Sequence, residues 1–172
     1  RSPAYILKAL HPLHNPLSQF LDHLFLQFGP SEFTLRLPAA IWGILNIGAI
    51  FLLGNLLFGK KEGVFAAFLL TVSSYHVRYS QEGRMYTLFL LTVLLSSYFF
   101  WRAFRENRAF FWGSYILFSV LAVLTHFFAL FVLFSQAVFI GLDWLFGKSG
   151  MTKNLSFIIY CFFFFSLALS LI

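Results

Sequence analysis

The chain alternates long apolar runs with short polar interruptions, and the lengths of the runs set the first expectations. Leu37–Phe58 is apolar and entered through Arg36 and Pro38, an arrangement that suits a helix start. Gly59-Lys60-Lys61-Glu62-Gly63 comes next as a tight turn. From Gly63 to Ala103 there are 41 residues, with one dense polar cluster, Tyr75 to Tyr86, near the middle. Two helical crossings of a ~30 Å hydrocarbon core at 1.5 Å per residue need about 40 residues. Gly63–Val77 and Gln81–Ala103 are therefore expected as spans, and the cluster as the turn of a helical hairpin at or just inside the membrane boundary. Ser80 would cap the second of these spans, with Glu82 in its first turn, where the helix dipole favours a carboxylate.

Phe110–Gly147 carries no charge until Asp143. As one helix it would be ~57 Å long, nearly twice the core thickness, so it must turn back. The polar break near its middle is Thr125-His126, the expected hairpin tip. Gly147–Lys153 reads as the next turn and Leu155–Ile172 as a further span. Before Leu37 the pattern changes. Leu17, Phe20, Leu21, Leu24, Phe25 and Phe28 fall on one helical face and Ser18, Gln19, Asp22, His23 and Gln27 on the other, with Leu26 the exception. This helix is too short to span and is expected at the interface or packed over the bundle. Gly29-Pro30-Ser31-Glu32 ends it, and Ser31 is placed to cap the next helix.

The pattern thus describes an all-α polytopic membrane protein with about six transmembrane helices preceded by an extracytoplasmic interfacial helix. Residues 1–36 form the juxtamembrane segment and residues 37–172 the helical bundle. The chain opens on Arg1 and stops inside an apolar run. It reads as a piece of a longer membrane protein, incomplete at both ends.

Composition agrees with the bilayer: 60% hydrophobic, 10% charged, mean hydropathy +0.82. A soluble domain carries roughly 25% charged residues. The net charge of +6 is scattered between apolar runs rather than gathered on one basic face, which argues against nucleic acid as a partner. The single cysteine, Cys161, excludes a disulfide framework. No Cys-x-x-Cys, His-Glu-x-x-His or phosphate-loop pattern is present. Nothing in the motifs requires a metal, nucleotide or other cofactor.

Charge instead reports topology. Lys60, Lys61, Arg102, Arg105, Arg108, Lys148 and Lys153 fall at alternate ends of the spans, hence on one side, the cytoplasmic one by the positive-inside tendency. The interfacial segment, the Tyr75–Tyr86 cluster and Thr125-His126 then share the extracytoplasmic face. Arg1, Lys8, Arg36, Arg78 and Arg84 lie there against the charge rule, which suggests that they bind something anionic. Ionisable groups at membrane depth are costly, ~2.5–3.5 kcal/mol for a central Arg or Asp on insertion scales, and by default mark function. Arginine forks facing a lipid surface suit a phosphate or pyrophosphate on a lipid. Backbone donors of a helix N-terminus at Gln81–Gly83 would add to them. Glu82 opposes phosphate unless Arg78 or Arg84 neutralises it; alternatively it serves as general base on an acceptor hydroxyl. Blander readings stand beside these: a helical Arg78–Glu82 ion pair, a hydrogen-bonded turn histidine at 126, headgroup anchoring by Arg and Tyr. Spacing alone reaches a phosphorylated lipid and stops.

Three stretches go further. His14-Asn15-Pro16-Leu17 leads to Ser31-Glu32-Phe33-Thr34-Leu35-Arg36-Leu37-Pro38. Tyr79-Ser80-Gln81-Glu82-Gly83-Arg84-Met85-Tyr86 comes second, and Thr125-His126-Phe127-Phe128-Ala129-Leu130 third. Together they resemble the bacterial dolichyl-phosphate-mannose–protein mannosyltransferase-like family, of the C-type membrane glycosyltransferase fold, over roughly residues 11–136. The family usually carries His-Pro-Pro-Leu, Tyr-Ser-Gln-Glu-Ala-Arg-Met-Tyr and Thr-His-Tyr-Phe at these places, so Asn15 and Gly83 are departures.

The resemblance implies transfer of a sugar from a polyprenyl-phosphate donor to an acceptor glycan, lipid or protein hydroxyl on the extracytoplasmic side. It implies a multi-pass protein of the bacterial plasma membrane. His14, Arg78 and Arg84 are expected at the donor phosphate, with Glu82 positioning Arg84 or the acceptor and His126 lining the pocket. His76, Tyr79, Gln81 and Tyr86 complete the expected substrate-binding set. The family's catalytic acidic residue would lie upstream of Arg1, so the segment alone is expected to be inert. A transporter or lipid flippase, or a scaffold subunit without catalysis, are the competing classes. A transporter would favour broken helices and ionisable groups at mid-membrane.

Overall fold

The computed structural model describes residues 16–27, 29, 31–82 and 84–146. Two compact units divide the chain, residues 1–126 and residues 127–172. The described part of the first contains helices α1 (Pro16–Leu26), α2 (Glu32–Leu57), α3 (Lys60–Val72), α4 (Ser74–Gln81), α5 (Tyr86–Glu106) and α6 (Ala109–Thr125); that of the second contains α7 (Ala129–Phe146). The described residues are all helix and connection, with no strand.

Local sequence explains where α2 begins. Ser31 Oγ accepts from the Thr34 amide at 3.2 Å, and Thr34 Oγ1 accepts from the Ser31 amide at 3.0 Å. This reciprocal capping box satisfies two otherwise orphaned donors. Glu32 and Arg36 add an ion pair across one turn at 2.6 Å. The helix therefore starts at Glu32, and Pro38 lies inside it rather than at its start, against the expectation. The missing Pro38 amide deprives the Thr34 carbonyl of its helical donor, a loss set against the strong cap at Ser31, seven residues upstream.

At the other end, Phe58 and Gly59 both donate to the Gly54 carbonyl, at 2.9 and 3.3 Å. Gly59 turns the chain with φ +124°, a region that glycine enters without steric cost. α3 then returns along α2 in near-backbone contact. A Cβ on Gly54 would lie 2.9 Å from Gly63 Cα, and one on Gly63 would lie 2.8 Å from both Phe51 O and Asn55 N.

The expected span Gly63–Val77 does not form. α3 ends at Val72 after 13 residues, ~20 Å of helix and too short for the core. Ser73 breaks it with ψ 117°, and the Ser73 side chain accepts from the His76 amide at 3.4 Å to start α4. The polar cluster is thus a separate helix and not a hairpin turn. Its direction is set by two contacts on α2. Ser73 lies ten residues, ~15 Å, beyond Gly63, and Gly43 lies eleven residues, ~16 Å, from Gly54 in the same spatial direction. A Cβ on Gly43 would collide with Ser80 Oγ. Both ends of α4 therefore sit at about one level, and α4 runs across α2. Arg36 lies seven residues further out on α2, ~10 Å beyond that crossing.

α5 is the central helix of this unit; Phe89, Val93, Leu94, Phe100 and Ala103 are buried. It runs parallel to α2. Asn46 Nδ2 donates to Thr87 O at 3.0 Å near one end, and Arg105 Nη1 donates to Leu56 O at 3.0 Å near the other. The second bond also brings the Lys60-Lys61 turn and the Arg105 end of α5 to one side, in line with the basic alternation. α6 returns against α5 through a buried Ser96–Ser119 hydroxyl pair at 2.9 Å and the stacked rings of Phe99 and Phe118. Asn107, in the left-handed region with φ 47°, makes the turn. α1 packs against α2 and α6.

Two helices are long and apolar enough to cross a membrane, Glu32–Leu57 and Tyr86–Glu106. α6 and α7 are apolar but shorter by that measure. The break expected at Thr125-His126 is present, because α6 ends at Thr125 and α7 opens at Ala129. Leu155–Ile172 and the Gly147–Lys153 turn lie outside the described residues.

The glycine contact yields a test. Gly63→Val should lower the thermal stability of the detergent-solubilised full-length protein by about 1–3 kcal/mol, the usual cost of overpacking. Gly48→Ala, with nothing within 4 Å of the added carbon, should be neutral or stabilising by up to ~1 kcal/mol. Equal melting temperatures for the two variants would refute the close α2–α3 approach.

Candidate functional site

α4 is polar where its neighbours are not, and its two faces do different things. His76 points inward and is buried. Ser80 donates to the His76 carbonyl at 2.7 Å and so belongs to α4, not to the cap of the next helix. Arg78 and Gln81 face outward. Glu82 ends α4, its amide donating to the Arg78 carbonyl at 3.2 Å.

The connection to α5 therefore differs from expectation. α5 starts at Tyr86 after Met85, without a side-chain cap. Glu82 lies at a helix C-terminus rather than in a first turn, and Gln81 and Glu82 close α4 rather than open a helix. The reason is local: Ser73 captures the start of the polar helix before Ser80 could, so the Ser80–Gln81 stretch becomes its last turn.

A carboxylate at a helix C-terminus meets the negative end of the dipole and needs compensation. Glu82 has it twice. Arg78 Nε lies 3.1 Å from Glu82 Oε1, and Arg84 Nε lies 3.8 Å from Oε2. Both arginines engage through Nε. The side chains that carry the terminal Nη pairs, the fork that reads phosphate oxygens, are 74% exposed at Arg78 and 66% at Arg84, against 31% for Glu82. The trio carries net charge +1. It can hold an anion while its single carboxylate keeps the two guanidiniums together.

Tyr79 and Tyr86 meet at 4.8 Å between ring centroids, tilted by 51°, and tie the end of α4 to the start of α5. His126 caps the end of α6, and its ring lies 5.2 Å from that of Phe89 in the first turn of α5. The structure thus joins Arg78, Glu82 and Arg84 in one network, pairs Tyr79 with Tyr86, and brings His126 to the same end through Phe89. His14 and Gly83 lie outside the described residues. No group of three or more His, Cys, Asp or Glu placed to hold a metal ion occurs among the described residues.

Sequence reasoning passed over Asn46. It is fully buried on α2 and holds the Thr87 carbonyl at the foot of the site. The signal was a carboxamide in an otherwise apolar span, the kind of residue that usually marks a contact between helices. Ser73 was missed because nothing in its neighbourhood distinguishes it from Ser74 or Ser80.

Burial lowers the pKa of His126, at the turn after α6, below the ordinary imidazole value. Folding then favours the neutral form. The stability it contributes is intact above pH ~6.5 and is lost as pH falls from there through the depressed folded-state value. The full-length protein should melt at lower temperature at pH 5 than at pH 7.5, and His126→Leu should shrink that difference. A pH-independent wild-type melting temperature over this range would contradict the burial of the ring.

The family model for dolichyl-phosphate-mannose-protein mannosyltransferase matches residues 11–172. No curated protein and no solved structure matches the chain. The match takes in every stretch that carried the resemblance, and the apolar helices α2 and α5 are consistent with membrane insertion. The chain belongs to the dolichyl-phosphate-mannose-protein mannosyltransferase family, membrane glycosyltransferases of the mannosyltransferase type.

Proposed function

We propose that the end of the bundle built from α4, the start of α5 and His126 binds the phosphate of a polyprenyl-phosphate-linked sugar and assists its transfer to an acceptor hydroxyl on the extracytoplasmic side. The observation that carries this reading is the arginine pair that shares Glu82 through Nε while both arginine side chains stay largely exposed. In the transfer, the acceptor oxygen bonds to the anomeric carbon as the bond from that carbon to the phosphate oxygen breaks. The acceptor proton goes to a base, expected to be a carboxylate. Charge grows on the departing phosphate, and Arg78 and Arg84 stabilise it where the lipid excludes water. Glu82, engaged by two guanidiniums, aligns them. His14 is expected to join them at the phosphate. His76, Tyr79, Gln81 and Tyr86 supply the surrounding contacts.

A second reading has one observation in its favour. The α3–α4 break at Ser73 is a discontinuous helix, as transporters use at their binding sites. Its arginine side chains are largely exposed rather than enclosed within the bundle, which favours the transferase. Uptake of a polyprenyl-phosphate sugar into vesicles without any transfer product would select the transporter.

Arg84 should matter for chemistry more than for folding. Arg84→Ala in the full-length protein should cost 10²–10³ in turnover of a polyprenyl-phosphate sugar, ~3–4 kcal/mol of transition-state stabilisation. Arg84→Lys keeps the charge and loses the fork, so it should recover only part. An alanine variant that inserts normally and transfers at the wild-type rate would reduce the trio to a headgroup anchor. Orientation has its own measurement. A cysteine at Lys61 should label only from the cytoplasm and one at Gln27 only from outside. Labelling of both from the same side would overturn the extracytoplasmic placement.

A further inference from the structure

The outward face of α3 changes chemistry along its length. Lys60 and Lys61 open the helix and are both exposed. Val64, Phe65, Phe68, Leu69 and Val72 follow, each between 50% and 62% exposed. Steps of three and four residues put all seven side chains on one helical face. The opposite face holds Gly63 against Phe51 and Asn55 of α2, one of the two helices apt to cross a membrane. The 13 residues of α3 measure ~20 Å, too short for a crossing but about half of a ~40–45 Å bilayer with its headgroups. α3 therefore matches one leaflet, with its lysines at headgroup level and its apolar stripe at the depth of the acyl chains.

The lysines do not serve the helix they open. A helix N-terminus is the positive end of the dipole, and a cation in the first turn is unfavourable there. Glu62 is the residue that suits the place, and its carboxylate lies over Gly59, where an added Cβ would be 3.0 Å from Oε2. Arg105 brings a third exposed cation to the same turn, through its 3.0 Å bond to the Leu56 carbonyl. Three cations against Glu62 leave a charge of +2 around Gly59 (3 − 1). The Arg105 guanidinium carbon lies 5.8 Å from the ring centroid of Trp101, and indoles are enriched at headgroup level. An anion at the start of α3 would meet both lysines and the favourable end of the dipole.

We propose that the outward face of α3 is a docking surface for an anionic phospholipid of the leaflet at this basic end. Lys60 and Lys61 hold the lipid phosphate, and an acyl chain lies along the stripe from Val64 to Val72. A free phosphate would engage only the cations and leave the stripe unused, so the continuity of charge and apolar surface on one face selects the lipid. The surface is distinct from the Arg78–Glu82–Arg84 network, which lies beyond the helix break at Ser73, and it holds whether or not that network binds a sugar donor.

The test is native mass spectrometry of the full-length protein in detergent, titrated with phosphatidylglycerol or with phosphatidylcholine of the same chains. Wild type should prefer phosphatidylglycerol by about 10- to 30-fold, roughly fivefold for each net positive charge at the turn. Lys60→Gln and Lys61→Gln should each weaken phosphatidylglycerol binding about fivefold, and the double variant should bring the two lipids within about twofold. Arg36→Gln removes one exposed cation from the other end of α2 and should leave the preference unchanged. The lysine variants should melt no lower than wild type in lipid-free detergent, because they relieve a charge opposed to the dipole. Inorganic phosphate in tenfold excess should not displace the lipid. Equal binding of the two lipids by wild type, or a preference that survives the double variant, would overturn the proposal. So would a loss matched by Arg36→Gln, or displacement by inorganic phosphate, which would leave the lysines as a plain anion site.

Discussion

Ser73 ends one helix and begins another in a place where a backbone has little else to bond to. In the hydrocarbon region an unpaired amide or carbonyl costs several kcal/mol, so a helix there normally continues to the interface. Here the Ser73 hydroxyl accepts from the His76 amide, and the Ser73 carbonyl accepts from Val77 at 3.0 Å. With those groups satisfied, the chain can turn and run across α2 about 10 Å below Arg36. That turn determines the position of every charged group of the candidate site. Were α3 to continue straight, Arg78 and Glu82 would project past the bundle, and neither His76 nor Ser80 would meet α2.

The crossing in turn requires small residues. Gly43 gives Ser80 the space of a missing Cβ, and the Gly54–Gly63 approach sets the level at which α3 stops. Small-residue contacts of this kind let helix backbones close up where lipid provides no hydrophobic drive for association. The polar bonds Asn46–Thr87 and Arg105–Leu56 then hold α5 to α2 at both ends, which fixes the start of α5, and with it Arg84 and Tyr86, relative to α4.

How much of this was legible depended on whether a feature was local. The Ser31 cap and the Thr125-His126 break need only a few neighbouring residues, and run lengths reveal them. The existence of a polar site between the basic turns was equally readable, because ionisable residues in a greasy chain are conspicuous. The architecture of that site was not. Ser73, Ser74 and Ser80 are all competent caps, and the sequence around them does not distinguish the one that acts, Ser73. Pro38 as a helix start lost to a capping box whose strength depends on Thr34 reaching back to Ser31. Asn46 shows its role only once Thr87 is beside it. Hydropathy counts how often a chain could cross; it does not show that one crossing is made of two pieces.

The same caution applies to charge patterns. Arg78, Glu82 and Arg84 have a near twin in Arg102, Glu106 and Arg108, with identical spacing and likewise a glutamate shared by two arginines at the end of a helix. Pattern alone therefore cannot mark a binding site. The surroundings distinguish the two. Arg102 donates to the Tyr98 hydroxyl at 3.0 Å and its guanidinium lies 4.5 Å from the Phe111 ring centroid, so its terminal nitrogens are spent on the α5–α6 hairpin. Beside it, Arg105 is bound to the Leu56 carbonyl. At that end Arg102 and Arg105 serve the fold. At the α4 end Arg78 and Arg84 meet the protein at Glu82, and their side chains are otherwise largely exposed. The same motif is thus packed into the fold through Arg102 and left exposed at Arg78, and the difference lies in what each guanidinium touches.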